Sequence, residues 1–222
     1  YITEGSCRNP TDQWLHDLMA NEQGSGRLIS WDKGLNNAHV IAKGFSWPGG
    51  AVVSHDENEV LVTEAWAYKL CAVNRHNGER RYLVDNFAGY PWRITRGVSG
   101  EYWLAFFAVR SQLIDFVLHE RDYCDRMMAE VPPEYWVGPA LSSKSHYLHP
   151  TQWGRIKTLG VQKPWAPARS YGLVARLDGD GQAIESFHSR LGGKVHGITS
   201  VRCIDKKIIA CSKGDDKLVA VI

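Results

Sequence analysis

The amino-acid sequence predicts an all-β fold, a propeller of which about four blades are visible, and three observations predict it. Short apolar runs alternate with turn residues along most of the chain, as in "FSWPGGAVVSHDENEVLVTEAWAYKLCAVNRHNGERRYLV", residues 45–84. That layout, four short strands in about 40 residues, recurs further along. Helical periodicity is confined to two interrupting segments. Repeated four-stranded meanders are what a propeller is built from, because each blade buries both faces against its neighbours and the ring removes most exposed edges. A two-sheet sandwich is the rival architecture, and it does not account for the repetition.

Each element follows in order. "YITEGS" reads as the end of a strand, with "GRLISWD" and "HVIAKG" behind it as the rest of a truncated first unit. Between them, "TDQWLHDLMANEQ" has Trp14, Leu15, Leu18 and Met19 at helical spacing after a Thr/Asp start, an inserted amphipathic helix. The second unit is "GGAVVS", then "EVLVTEAWAYKLCAV" as two strands around a polar bend, then Asn77-Gly78 as a two-residue hairpin turn, then "RRYLV". The third starts with "YPWRITRG", turns at Ser99-Gly100 and continues with "EYWLAFF". An insertion, 111–169, follows: "QLIDFVLHERDYCDRMMAEV" is helical by its apolar recurrence, and a Pro-, Gly- and Trp-rich stretch without periodicity reads as a lid or binding surface. The third unit resumes at "YGLVARLD", turns at Asp178-Gly179-Asp180-Gly181 and closes with "AIESFHS". That "DGDG" lacks the further acidic ligands of a calcium loop and is read as a hairpin turn. "VHGITSVRCIDKKIIACSKG" and "KLVAVI" form the fourth unit.

Composition bounds the partners. Lys and Arg number 26 against 24 Asp and Glu, a net charge of +2 without a basic block, which argues against nucleic acid and an anionic membrane surface. No apolar run approaches the ~20 residues of a membrane span, so no direct insertion of this segment is expected. Cys7, Cys71, Cys124, Cys203 and Cys211 show no C-x-x-C spacing, so neither a zinc site nor a disulfide framework is expected. The chain has no initiator Met and opens on a strand end, from which we expect N-terminal blades upstream.

"YITEGS", "TDQWLHDLM", "GRLISWD", "AVVSHDENEVLVTEAWAYKL", "NFAGYPWRITRGVSGEYWLAFF" and "VHGITSVRCIDKKIIACSKG" together resemble the strictosidine synthase-like group, within the wider superfamily of gluconolactonases, senescence-marker (SMP-30) lactonases and paraoxonases. The resemblance implies a six-bladed propeller, residues 1–222 being roughly its last two thirds. In the lactonase branches it further implies a tunnel cation, usually Ca²⁺, acting as a Lewis acid on a lactone carbonyl. One implied ligand position falls on Gly49, in Trp47-Pro48-Gly49-Gly50, and another on Trp92, in Tyr90-Pro91-Trp92-Arg93. Neither residue is a ligand, so no metal is assigned. In the synthase branch a Glu just after a His serves as general base. Here His196 matches the His, and Ile198 stands at the Glu position, which argues against synthase chemistry.

By the same register the tunnel mouth gathers Glu4, Ser6, Trp47, Glu64, Trp66, Tyr90, Trp92, Arg93, Phe106, Phe107, Arg110 and His196. Aromatic walls with arginines and a carboxylate suit a small organic ligand. Trp92 and Phe106 are equally readable as packing between blades. Arg93 follows Trp92 along a strand, points to the other face and is expected in an ion pair between blades. Two functions follow. One is a lactonase or arylesterase-type hydrolase with altered metal ligands, or using His196 with Glu4 or Glu64. The other is a non-catalytic propeller that binds a small molecule or a protein domain, with 111–169 as contact surface. The resemblance adds that such propellers are sometimes carried on membrane transporter chains, so membrane association through a parent chain is an expectation.

Overall fold

A computed structural model describes residues 1–20, 24–34, 36–142, 157–158, 161–162, 170–190, 193–205 and 207–221. Four antiparallel meander sheets follow one another along the chain. The first joins β1 (Ile2–Glu4), β2 (Gly26–Trp31) and β3 (Ala38–Phe45), and the second joins β4 (Pro48–Val53), β5 (Glu59–Glu64), β6 (Lys69–Asn74) and β7 (Arg80–Val84). β8 (Gly89–Arg96), β9 (Tyr102–Val109), β12 (Gly172–Leu177) and β13 (Ala183–Ser189) make the third. The fourth is β14 (Ile198–Ile204), β15 (Lys207–Ser212) and β16 (Lys217–Val221). A 3-10 turn (Thr11–Gln13) leads into α1 (Trp14–Ala20) between β1 and β2. α2 (Gln112–His119), α3 (Arg121–Glu130) and the two-residue pair β10 (Lys157–Thr158) and β11 (Val161–Gln162) lie between β9 and β12. Most of the second half of the 111–169 insertion lies outside the described residues.

The sheets pack face to face in chain order, in a propeller-like manner, and the period-2 alternation of strands does the packing. On β5, Val60 and Val62 join Leu28, Phe45 and Cys71 between the first two sheets, while Leu61 turns to Leu70, Leu104 and Phe106 between the second and third. On β9, Leu104 and Phe106 face the second sheet, and Trp103 and Ala105 face Ile198, Val201 and Ala210 of the fourth. A strand buried on both faces is the reason that these runs are apolar throughout rather than alternating with polar residues. Successive sheets are also tied by hydroxyls: Thr63 Oγ1 on β5 donates to the Trp92 carbonyl of β8 (2.6 Å), and Thr95 Oγ1 on β8 to that of Val201 on β14 (2.8 Å).

Four local expectations are corrected. The Asn77-Gly78 turn is the end of a longer loop, in which Gly78 N–H bonds the Asn74 carbonyl (3.0 Å) and the Asn74 side chain accepts the N–H of His76 and Asn77. Gly78 alone takes positive φ there, at 72°. The bend between β5 and β6 is not polar: Ala65 and Trp66 are buried in it. The helical run after β9 is broken into α2 and α3 at Glu120, whose ψ of 78° leaves the helical region. Arg93 is exposed and, among the described residues, makes no ion pair, because it sits with Trp92 in a bulge: Pro91 pairs with Phe106 and Ile94 with Leu104, leaving two residues opposite one.

Candidate functional site

The strand ends that the sequence gathers at a tunnel mouth come together as an aromatic cluster. Trp47 closes the first-to-second sheet connection, Trp66 fills the β5–β6 bend, and Tyr90 and Phe107 sit on β8 and β9, all with at most 4% of their surface exposed. Trp66 is the hub: its ring centroid lies 5.5 Å from Trp47, 6.0 Å from Tyr90 and 6.2 Å from Phe107. Tyr90 and Trp92 each lie 5.2 Å from Phe107. The expected open pocket is therefore filled at this point by its own walls.

Three helices cover the cluster. α1 contributes Leu18 and Met19, with Trp14 stacked on Trp66 (6.0 Å), and α2 and α3 contribute Ile114, Val117, Cys124 and Met127. Trp136 and Val137 complete the cover. The amphipathic spacing of α1 was the sequence signal for this cap, but nothing in the spacing said which surface it would meet. Asp17 is a polar exception on its buried face. Its carboxylate accepts the Trp66 indole N–H (2.9 Å) and the Asn9 side-chain amide (2.9 Å), which fixes the hub and the loop before α1 together. Arg121 ties the cap to itself by donating to the Met19 carbonyl at the end of α1 (2.8 Å).

The remaining predicted residues disperse. Glu4, at the end of β1, is paired with Arg27 and accepts from the Cys7 thiol (3.2 Å); the Arg27 hydrogen bond holds its carboxyl below the usual range. Ser6 is a turn anchor, its hydroxyl shared with Ser25 (2.9 Å) and accepting the N–H of Arg8 and Asn9. Glu64 shares the face of Val60 and Val62, is 2% exposed and takes the Ser46 N–H on Oε2 (2.8 Å), while Oε1 has no partner. Burial pushes its carboxyl up. His196 is buried in the fourth sheet's approach, with Nδ1 bonded to Ser170 Oγ (2.7 Å) and Nε2 to the Arg190 carbonyl (3.0 Å). With Nε2 donating to that carbonyl, neutral imidazole must accept the Ser170 proton on Nδ1, so both ring nitrogens are occupied. No hydrogen bond or ion pair joins His196 to Glu4 or Glu64 among the described residues. Phe106 packs between the second and third sheets rather than in the mouth.

Arg110, just after β9, stands in company the sequence did not reveal. Its guanidinium lies 4.1 Å above the Tyr68 ring, donates to Asn86 Oδ1 (2.6 Å) and pairs with Asp115 of α2 (3.0 Å). The Tyr68 hydroxyl donates to the other oxygen of Asp115 (3.3 Å), and burial, its largest influence, pushes that phenol up to about 12.

The implied metal positions do not fit a cation. Gly49 lies in a bulge between the Pro48–Glu64 and Gly50–Thr63 pairs, and a Cβ placed on it would come within 2.8 Å of the Trp92 ring and 3.1 Å of its Cα. The two substituted positions thus pack on one another, an indole over a glycine, where oxygen ligands would be needed. Among the described residues no three His, Cys, Asp or Glu side chains gather in a way that could hold a metal. Ile198, at the general-base position of the synthase pattern, is 3% exposed in the core between the third and fourth sheets. Near it an apolar groove of ≈ 290 Å³ opens between those sheets, lined by Leu173, Phe187, Val195 and Val219 among others. No helix of the described residues is long and apolar enough to cross a membrane.

Comparison with known proteins gives the kinship. Residues 1–75 match the strictosidine synthase family profile. The adipocyte plasma membrane-associated protein of Danio rerio is 26% identical over 199 residues, 86% of this chain and 41% of the relative. Protein strictosidine synthase-like 10 of Arabidopsis thaliana is 29% identical over 107 residues, 47% of this chain and 28% of the relative. Among solved structures, regucalcin of Agrobacterium tumefaciens, described as a calcium-binding protein, aligns with a TM-score of 0.48 at 13% identity over 88% of this chain and 47% of its own. The chain spans less than half the length of each.

Proposed function

Starting from kinship with the strictosidine synthase-like proteins, we propose that this chain is the larger part of a six-bladed propeller that binds a small organic ligand at its tunnel mouth and catalyses neither lactone hydrolysis nor amine–aldehyde condensation. The observation that carries the reading is the packing of Trp92 over Gly49. A lost ligand alone could be replaced by a neighbour, but here both positions have become one hydrophobic contact within a larger aromatic cluster. Ile198 in the inter-sheet core and His196 with both nitrogens engaged support the same conclusion for general-base chemistry. The scaffold residues are kept and the reactive ones are replaced, as expected when a fold is reused for recognition. The half-buried Tyr68 ring with the Arg110 guanidinium over it is the aromatic and cationic surface that a small, partly apolar ligand would use.

The module belongs beside a membrane in this reading, tethered through a parent chain and associated with a transporter domain. Support comes from relatives named plasma membrane-associated. The function is tested on the full-length protein, stripped with chelator and melted thermally while calcium is titrated in. A cation that binds only the folded state must raise the midpoint in a concentration-dependent way. The expected result is an unmoved midpoint together with background rates on aryl esters and lactones. A calcium-dependent rise accompanied by hydrolysis would establish the hydrolase instead.

A further inference from the structure

We infer that Asp115 is an internal stand-in for the carboxylate of the ligand, seated on the donors at the mouth that a planar aromatic carboxylate would use. This rests on the proposed small-molecule function and names its substrate class. Arg110, Tyr68 and Asn86 come from the ends of β9, of the β5–β6 bend and of the loop after β7, so the sheets themselves build the receptor. Asp115 comes from α2, part of the insertion. Each of its oxygens has one donor, Oδ2 from the Arg110 guanidinium (3.0 Å) and Oδ1 from the Tyr68 hydroxyl (3.3 Å). Asn86 holds the second arm of the guanidinium (2.6 Å), and the Tyr68 ring supports its face. A fixed guanidinium with an adjacent phenol is a receptor for one carboxylate.

Three features say that Asp115 can be exchanged. The pair is open to solvent, with 32% of the Arg110 side chain and 27% of the Asp115 side chain exposed, so a dissolved anion can reach it. Behind it, Tyr68 meets Tyr90 edge to face at 4.9 Å; Tyr90, Phe107 and Trp66 lie buried beneath the cap, so the aromatic surface that a flat apolar body can reach beside the pair is the half-buried Tyr68 ring. The polar groups here are also incompletely matched: the Tyr90 hydroxyl is buried with no partner of ordinary geometry, and so is Ser111 Oγ, at the start of an α2 that has no side-chain cap. Replacing one carboxylate by another leaves the charge of the cluster unchanged, whereas a neutral ligand would strand Arg110.

The test uses the full-length protein, with phenylacetate as probe and phenylacetamide as its neutral control, bound calorimetrically to wild type, Asp115→Asn and Arg110→Gln. Removing an internal competitor should tighten phenylacetate about tenfold or more in Asp115→Asn, since only the unoccupied fraction of the receptor binds in wild type. Arg110→Gln should abolish phenylacetate binding and leave phenylacetamide unchanged. An Asp115→Asn variant with unaltered phenylacetate affinity, or one that tightens the amide equally, would overturn the inference while leaving an aromatic-binding mouth in place. Folded variants that bind neither compound would overturn both the inference and the proposed function. Should Asp115→Asn not fold, hydrogen exchange on wild type decides: saturating phenylacetate must speed exchange of the α2 amides relative to the amide control, and unchanged α2 exchange counts against the stand-in.

Discussion

Gly49 and Trp92 act as one packing unit, which makes their energetics separable by a double-mutant cycle. Gly49→Ala places a methyl 2.8 Å from the indole and should cost about 1–3 kcal/mol, as overpacking does. In a Trp92→Ala background the ring is gone but the backbone contact at 3.1 Å persists, so the penalty should shrink without vanishing. Equal penalties in the two backgrounds, measured by urea unfolding, would mean that the indole does not hold the site. Glu64 gives a pH test. Its folded carboxyl is raised, so between the unfolded and folded values the native state binds more protons than the unfolded chain, and stability falls as pH rises through that window. Glu64→Gln keeps an acceptor for the Ser46 N–H and removes the charge. Its stability relative to wild type should therefore improve from pH 4 to pH 7.5, and a difference that is flat across this range would refute a strained carboxylate. At this scale the residue types at Gly49, Trp92 and Ile198 are read directly from the sequence, whereas the packing of Trp92 on Gly49 and of Ile198 between sheets is not. Partners are not legible either: Glu4 is read into the tunnel mouth as a partner for His196, and only the fold brings Arg27 to it.

Elements were read well where local chemistry sets them. Every strand of the four meanders overlaps a run quoted from the sequence: the inner strands β5, β6 and β9, buried on both faces, read as continuous apolar runs, while the largely exposed outer strands β7 and β13 were marked by the turns before them. The β6–β7 connection shows the boundary of that success. Asn77-Gly78 marked a turn correctly, but Asn74 reorganised it by capping two N–H groups, leaving the strained φ to Gly78 alone. Gly78→Ala should accordingly cost about 1–3 kcal/mol, since it combines positive φ with a Cβ 2.6 Å from the Ile41 carbonyl. An unchanged denaturation midpoint would show that the loop relaxes freely. The cap was half legible. The apolar faces of the helices were visible in the sequence, but their destination over the aromatic cluster was not, because helical spacing specifies a buried face and says nothing of its partner. Ile114→Ala, which empties a fully buried site against the aromatic cluster, should destabilise by about 2–5 kcal/mol and raise hydrogen exchange in α2 and α3 before the sheets.

For the whole molecule, what matters is how apolar surface is shared among the sheets. The second and third sheets are sandwiched between neighbours and bury their inner strands β5, β6, β9 and β12, although their outer strands still expose Tyr82 and Ile184, while Tyr1, Ile2, Trp31 and Val40 of the first and Ile204 and Leu218 of the fourth stand more than two-fifths exposed. A stack of meanders saturates its inner interfaces and leaves its outer ones unsatisfied unless further blades close the ring. In the six-bladed reading those outer faces meet two more blades. A polypeptide limited to these 222 residues should then self-associate through its terminal sheets. Sedimentation velocity across a wide concentration range should show reversible growth beyond the monomer, with a fluorescent apolar-surface dye bound at low concentration and released as the assembly forms. Charged substitutions at Trp31 and Leu218 should shift that equilibrium back to monomer without moving the far-ultraviolet signal of the sheets. A monodisperse monomer that binds no dye would mean that the terminal faces are stable in water, and the case for a larger ring would lose its physical basis.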